Sequence, residues 1–258
     1  MILQEIPIQT MRPVLAILVL ASASCGTWGR LPNPIDLGYG YDKDTIVFPG
    51  GTPYKVIDQF TGETNGGTWY AKNDFETAEH CGTHLDAPYH FDKNGRKVNE
   101  IPLDRLITKA ILVDVSADVK DNSSYALPVK KLEEWTKTNG DIPDKSVILI
   151  KFGWGSRYPN KEQYLGPSDT DQRYPGLSEE AAQWIVDTKK FVGVGVDTLS
   201  LDRPGNPKKP NHVKILGSDM YGLENVNLTS DLPPQFDLLV MPIKLINGTG
   251  GPVRIIAH

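Results

Sequence analysis

Residues 80–91 read HCGTHLDAPYHF and contain three of the five histidines of this 258-residue chain. On an α-helix, His80 and His84 would share one face, because they are four positions apart. Gly82 and Pro88 both oppose a helix, since glycine is a poor helix former and proline lacks a backbone N–H. The stretch is therefore predicted to be extended or looped.

An extended backbone brings the polar residues of this stretch to one side. Residues 80, 84, 86 and 90 have the same parity, so they share one face of a strand. A straight strand would separate His80 from His84 by about 13 Å, which is too far for two imidazoles to bind one ion. A strand end that curls at Gly82 would gather His80, His84 and Asp86 around one cation. His90 would then face the same cavity.

The residue types of this cluster suit a hydrolytic metal site. Two imidazoles and a carboxylate can hold zinc or manganese and leave coordination positions open. Such an ion lowers the pKa of a water molecule to about 7 and polarises a carbonyl group, while a free histidine such as His90 can move the proton. The alternative is that these histidines cap loops and pack in a polar core.

The stretch HCGTHLDAPYHF resembles the signature of the cyclase-like metal-dependent hydrolases, which include bacterial kynurenine formamidase and isatin hydrolase. The resemblance extends over most of the chain. Four further segments resemble parts of that family: residues 35–37, 48–50, 193–200 and 251–254.

The resemblance implies an α/β protein with a swivelling β/α/β fold, either a mixed sheet or a small barrel with flanking helices, and a dimer or higher oligomer. It also implies one or two divalent ions, zinc or manganese. In the two-ion form, His80, His84 and Asp86 hold one ion, and Asp86 holds the second with His212 and Glu224. His90 matches the catalytic histidine of the family. On their own, a lone His212 and a lone Glu224 would be weak evidence, because both residue types are mostly exposed.

The rest of the chain is typical of an α/β protein with long loops. Helices are predicted over residues 129–138 and 178–190, the second with Ser178 as N-cap. Two stretches rich in Pro, Gly and charged residues, 157–176 and 202–211, are predicted loops that could cover a site, with Asp202 and Arg203 as loop-fixing charges. Strands are predicted over residues 45–48, 110–115, 147–152, 191–196 and 236–245.

The N-terminus has the pattern of a signal peptide. Residues 14–21 read VLAILVLA after Arg12, and the small residues 21–23 follow as a cleavage site. We therefore expect residues 1–23 to be a signal peptide and residues 24–258 to form a single secreted domain. Translation could instead start at Met11. A buried N-terminal helix is the alternative to a signal peptide, and a lipoprotein anchored at Cys25 is a weaker alternative.

Export is consistent with three N-x-[ST] sequons and only two cysteines. Asn122 lies in a polar stretch and is the expected glycan site. Asn227 and Asn247 are expected to be packed near the site and mostly unmodified. Cys81 lies inside the histidine cluster and is expected to be a free, buried thiol.

Composition and charge limit the classes of function that this chain can have. A formal net charge of −5 without a sustained basic patch gives nucleic-acid binding no support, and no membrane is expected for the mature form. The leading hypothesis is hydrolysis of a small aromatic amide, either an aryl formamide such as N-formylkynurenine or a cyclic amide such as isatin. Alternatives are a lactone or cyclic-ester hydrolase, and a non-catalytic binding protein. Trp69, Tyr70 and Trp154 either line an aromatic pocket or are half-buried strand aromatics.

Overall fold

The computed structural model describes residues 33–258. The predicted signal peptide over residues 1–23, the two candidate start methionines and Cys25 lie outside this range. Cys81 is free and buried, as predicted. Within residues 33–258, no helix has both the length and the apolar character needed to cross a membrane.

The described chain alternates strands and helices. Its strands are β1 (Ile35–Asp36), β2 (Lys55–Glu63), β3 (Trp69–Glu76), β4 (His84–Asp86), β5 (Ile107–Asp114), β6 (Ala126–Leu127), β7 (Ser146–Lys151), β8 (Gly176–Leu177), β9 (Phe191–Val196), β10 (Tyr221–Glu224), β11 (Gln235–Pro242) and β12 (Gly250–Ala257). Its α-helices are α1 (Leu103–Leu106), α2 (Ser116–Val119), α3 (Val129–Asn139), α4 (Lys161–Leu165), α5 (Glu179–Thr188) and α6 (Pro210–Leu216).

Seven of these strands close into a mixed barrel. The ring runs β4–β10–β9–β7–β5–β11–β12 and returns to β4, because β12 pairs with both β11 and β4. The neighbours β5, β7, β9 and β10 are parallel, whereas β4, β11 and β12 pair antiparallel. The predicted α/β fold with a small barrel and flanking helices is confirmed.

Alternate residues of the central strands face two different cores. In β7, Val147 and Leu149 pack with residues of the other barrel strands, and Ile148 and Ile150 pack with the helices. The helix-side core includes Trp135 of α3 and residues of α5 and α6. Because parallel strands covered on both faces are apolar throughout, these runs were recognisable in the sequence.

Most predicted elements are present, with ends shifted by a few residues. The two predicted helices correspond to α3 and α5, and the Ser178 hydroxyl accepts a hydrogen bond from the Ala181 N–H, as an N-cap does. The predicted strand over residues 45–48 is wrong. Only Val47 makes an isolated bridge, to Cys81, because a turn from Asp42 to Thr45 precedes it and Pro49 follows.

Strands β2 and β3 form a hairpin that was not predicted, although Asn65-Gly66-Gly67 is a turn signal between two alternating runs. Trp69 and Tyr70 lie on β3 and are 67% and 49% exposed. Trp154 is buried in the helix-side core. None of the three aromatics lines the histidine cavity, and none is half-buried, so both interpretations of them were wrong.

The three sequons lie in different surroundings. Asn122 is exposed in a turn after α2, as expected. Asn227 is partly buried, and its side-chain oxygen accepts hydrogen bonds from Thr229. Asn247 is exposed, so the expectation that it is packed was wrong; it lies in the turn between β11 and β12 rather than against the site.

Candidate metal centre

Strand β4 carries the centre of the site and lies between β10 and β12. In its antiparallel register with β10, His84 lies opposite Glu224 and Asp86 lies opposite Gly222. Just before β4, Gly82 has a φ of +57°, which L side chains rarely adopt. A Cβ at this position would approach the Tyr41 ring to 2.8 Å. The predicted curl at Gly82 is thus present.

The first cluster consists of His80, His84 and Asp86. The Nδ1 atom of His80 is 2.6 Å from Asp86 Oδ1, and the Nε2 atom of His84 is 3.2 Å from the same oxygen. Asp86 and His84 are buried, whereas His80 is partly exposed. These three residues offer ligand atoms close enough to hold one metal ion.

The second cluster consists of Asp86, His212 and Glu224, all of them buried. His212 lies on α6, and its Nε2 atom is 3.0 Å from Glu224 Oε1 and 3.4 Å from Asp86 Oδ2. The structure therefore brings together all five residues named as ligands from the sequence. Their roles as ligands stay predictions.

Asp86 is the residue that the two clusters share. Its Oδ1 atom lies beside His80 and His84, whereas its Oδ2 atom is buried without a hydrogen-bond partner. A buried carboxylate oxygen without a partner is costly, and a cation would compensate for it. This orphaned oxygen, together with imidazole and carboxylate donors, fits a divalent metal ion.

The electrostatics of the clusters also favour positive charge. Burial opposes ionisation of Asp86, but the neighbouring imidazoles of His212, His80 and His84 outweigh it and hold its pKa well below the usual value. Burial disfavours protonated His84, yet Asp86 and Glu224 raise its pKa to about 9. The pKa of His212 is likewise raised by carboxylates despite burial. Metal ions would supply the positive charge that these carboxylates attract.

Each candidate histidine ligand is oriented by a hydrogen bond from its outer nitrogen. The Nδ1–H of His84 donates to the Gly82 carbonyl at 3.0 Å. The Nε2–H of His80 donates at 2.9 Å to the Thr249 hydroxyl, which donates onward to Glu79 at 2.6 Å. In both rings, the nitrogen that faces the centre lies beside Asp86 and is the one that would bind a metal ion.

His212 is oriented by Asp202, whose Oδ2 atom accepts from its Nδ1–H at 2.6 Å. The Asp202 carboxylate also accepts from the backbone N–H groups of Asn211 and His212. Asp202 therefore stabilises the loop over residues 202–211, as predicted. It also sets the orientation of the His212 ring, which was not predicted. Arg203 donates to the Ser124 carbonyl and acts on the loop alone.

His90 lies at the edge of the clusters and belongs to neither. Its ring stacks on that of His80, with a centroid distance of 4.0 Å. Partial desolvation lowers the pKa of His90 to about 4, and the neighbouring histidines contribute in the same direction. The ring is therefore neutral at pH 7.

The two clusters open into a cavity of about 330 Å³. Of the two loops expected to cover a site, 202–211 contributes Lys209 to the wall, whereas 157–176 contributes nothing and includes α4. The sequence did not single out the remaining wall residues: four are apolar or glycine, and nothing distinguishes the serine and the lysine from others of their type. They are Phe48, Gly51, Ala78, Phe91, Ser200 and Lys209.

Comparisons with known proteins agree with this geometry. The sequence profile of a family described as "Putative cyclase" matches residues 35–203, more than half of the chain. The isatin hydrolase of Roseibium aggregatum is 26% identical over 81% of this chain and 83% of that protein. The kynurenine formamidase of Bacillus cytotoxicus is 27% identical over 86% of this chain and 95% of that protein.

Solved structures give the same result. Isatin hydrolase A from Ralstonia solanacearum superimposes with a TM-score of 0.80 at 26% identity, covering 97% of this chain and 99% of that one. Isatin hydrolase A from Labrenzia aggregata, bound to benzyl benzoate, has a TM-score of 0.79 at 26% identity, covering 87% of this chain and 93% of that one. This chain belongs to the cyclase family of metal-dependent hydrolases.

Proposed function

We propose that this protein hydrolyses the carbon–nitrogen bond of a small aromatic amide. The observation that carries this proposal is Asp86, a buried carboxylate shared by two clusters of candidate metal ligands beside a neutral His90. The proteins it resembles are named for isatin and for kynurenine formamide, and both substrates are aromatic amides.

The two clusters suit one or two divalent ions, zinc or manganese. His80, His84 and Asp86 would hold the first ion, and Asp86, His212 and Glu224 the second. Bound there, such an ion lowers the pKa of water and polarises a carbonyl group. Imidazole and carboxylate ligands bind both metals, so the donor set leaves the choice between them to experiment.

His90 is the proposed proton-transfer residue. Its neutral ring would accept a proton from the attacking water and deliver it to the leaving nitrogen. The balance is one amide and one water consumed, with one carboxylic acid and one amine formed. Nitrogen leaves readily only when protonated, so this transfer is required for amides more than for lactones.

The cavity favours a compact aromatic substrate. A volume of about 330 Å³ is at the lower end of ligand pockets, and Phe48, Ala78 and Phe91 supply apolar wall. Isatin and the aryl formamide part of N-formylkynurenine are of this kind.

A substrate panel with metal removal tests the proposal. The purified protein is assayed with N-formylkynurenine, isatin and a bicyclic aromatic lactone, before and after chelation and after addition of Zn²⁺ or Mn²⁺. Amide hydrolysis that is lost on chelation and restored by one of the ions is the expected result. Turnover of the lactone alone would point to a cyclic-ester hydrolase. Binding of metal without any turnover would point to a binding protein.

We also propose that the protein is a homodimer or higher oligomer that buries the β2–β3 hairpin. A two-stranded hairpin is marginally stable alone, and this one pairs with no other strand in residues 33–258. Its exposed apolar side chains are Val56, Ile57, Phe60, Trp69, Tyr70 and Phe75. Sedimentation of the wild type and of a Trp69→Glu variant tests this, and a monomeric wild type would contradict it.

We further propose export, with cleavage of residues 1–23, a mature single domain over residues 24–258, and a glycan at Asn122. The signal-peptide pattern supports cleavage, and the exposure of Asn122 supports access by the transferase. Peptide mapping of protein secreted from a eukaryotic host tests both. A mature N-terminus that still carries residues 14–21 would contradict the export proposal.

A further inference from the structure

We propose that Lys209 is a binding site for a carboxylate of the substrate, which makes the preferred substrate an aromatic amide with an acidic side chain. This inference rests on the proposed function, because it assigns a second contact to the same substrate. Lys209 lines the histidine cavity. Among the described residues that form its wall, it carries the one ammonium or guanidinium group.

The Lys209 ammonium has no carboxylate partner within residues 33–258. It lies over the face of the Phe48 ring, whose centroid is 4.9 Å from Nζ. Many other lysines in residues 33–258 form ion pairs with a carboxylate, as Lys145 does with Asp104. Contact with a ring face holds the ammonium by a cation–π interaction but leaves its N–H donors available for an anion.

The position of Lys209 is set by the same element that carries His212. Lys209 immediately precedes α6, and its carbonyl accepts a hydrogen bond from the Val213 N–H at 3.0 Å. Its φ of 46° is left-handed, which is uncommon for a residue with a side chain. A backbone conformation of this kind persists only where surrounding contacts maintain it, and it is frequent at ligand sites. The ammonium and the His212 ring thus belong to one wall of the cavity, three residues apart.

The chemistry of the wall selects the kind of ligand. The other wall residues outside the metal-ligand clusters are apolar or uncharged, apart from His90, so they favour an aromatic ring. A lysine is a mobile point charge without the planar fork of arginine, and it suits a carboxylate on a short flexible chain. Neutral amides would bind the apolar wall and the metal centre without this contact. Amides with a carboxylate would gain a charge-assisted hydrogen bond.

The test compares two substrates that differ in the acidic side chain. N-formylkynurenine carries an amino-acid side chain, and 2′-formamidoacetophenone is the matching aryl formamide without it. Lys209→Met keeps the aliphatic stem against Phe48 and removes the charge. Lys208→Met is the matched control, because Lys208 is an exposed neighbour outside the cavity. Lys209→Arg restores the charge.

We expect Lys209→Met to raise the KM for N-formylkynurenine by about 10- to 100-fold, the range for losing a hydrogen bond to a charged group. The KM for 2′-formamidoacetophenone and both kcat values should change by less than about threefold. Lys208→Met should behave as the wild type, and Lys209→Arg should recover part of the lost affinity. Equal changes for both substrates, or no change for either, would overturn the carboxylate site.

Calorimetric titration with the products makes the result independent of turnover. Kynurenine carries the carboxylate, and 2-aminoacetophenone lacks it. If the wild type hydrolyses neither formamide nor isatin, the proposed function fails, and a selective loss of kynurenine binding in Lys209→Met would still support the carboxylate site. If hydrolysis stands but Lys209→Met binds kynurenine as tightly as the wild type does, the carboxylate site fails alone.

Discussion

Replacing Asp202 with Asn tests whether the carboxylate beside His212 controls metal binding. Asp202 is 2% exposed. Its Oδ2 atom accepts from the His212 ring at 2.6 Å, and its Oδ1 atom accepts from the Asn211 N–H at 2.9 Å. The groups that contact both carboxylate oxygens are hydrogen-bond donors. In the Asn variant an NH₂ group replaces one of these oxygens, so a donor faces another donor.

Both orientations of the new amide are unfavourable. If its NH₂ group faces His212, the ring must accept at Nδ1 and carry its proton on Nε2. That atom is 3.0 Å from Glu224 and is the one expected to bind the ion, and a protonated nitrogen cannot be a ligand. If the NH₂ group faces Asn211 instead, a buried backbone N–H loses its acceptor, which costs about 1–3 kcal/mol of folding free energy.

We expect Asp202→Asn to lower the affinity for the ion at His212 and Glu224 by about 10- to 100-fold, the usual effect of losing the partner of a histidine ligand. This corresponds to about 1.4–2.7 kcal/mol of binding free energy. The ion at His80 and His84 should bind as in the wild type. Metal-free protein is titrated with Zn²⁺ or Mn²⁺ by calorimetry, and bound metal is counted by mass spectrometry.

Asp144→Asn is the control for this experiment. The Asp144 side chain is 79% exposed and pairs with Lys190, so its replacement should leave metal binding unchanged. Wild-type metal affinity and stoichiometry in Asp202→Asn would refute the reasoning that the Asp202 carboxylate sets the proton position on His212.

Substitutions at four other residues test further contacts of the structure. His84→Ala should abolish the first ion and activity together, and full metal occupancy in that variant would exclude His84 as a ligand. His90→Ala should keep its metal and lower kcat by about 10²- to 10⁴-fold, the usual range for general acid–base catalysis; loss of metal would make His90 a ligand. Thr249→Val removes the acceptor of the His80 Nε2–H and should weaken the first ion about tenfold in the same titration, so an unchanged affinity would speak against this orientation. Asp197→Asn should lower the free energy of unfolding by about 1–3 kcal/mol in denaturant titrations, because the buried Asp197 carboxylate accepts from three backbone N–H groups and an amide cannot accept from all of them; unchanged stability would refute this.

The local part of the site was predictable because its geometry is short-range. His80, His84, Asp86 and His90 lie within eleven residues, and only a few backbone angles separate them. Parity and the need for a curl at Gly82 were therefore enough to expect one cluster. The apolar runs of the parallel strands and the capped helix after Ser178 were predictable for the same reason, since each depends on its own neighbours.

Contacts between distant segments could be predicted only where the family resemblance pointed to them. His212 and Glu224 were named in this way, and their meeting at Asp86 depends on closure of the barrel between β4, β10 and β12. Asp202 beside His212 and Lys209 on the cavity wall had no signal that set them apart from other loop charges.

The sequence by itself determined which residues could bind a metal ion and what chemistry they could perform, because residue type and spacing over a few positions limit both. Only the tertiary structure decided that Asp86 is shared, that Asp202 orients His212, and that Lys209 lines the same cavity. Each of these depends on segments more than a hundred residues apart or on the path of a loop. Such placements are set by the packing of the whole barrel and its helices, which no local pattern specifies.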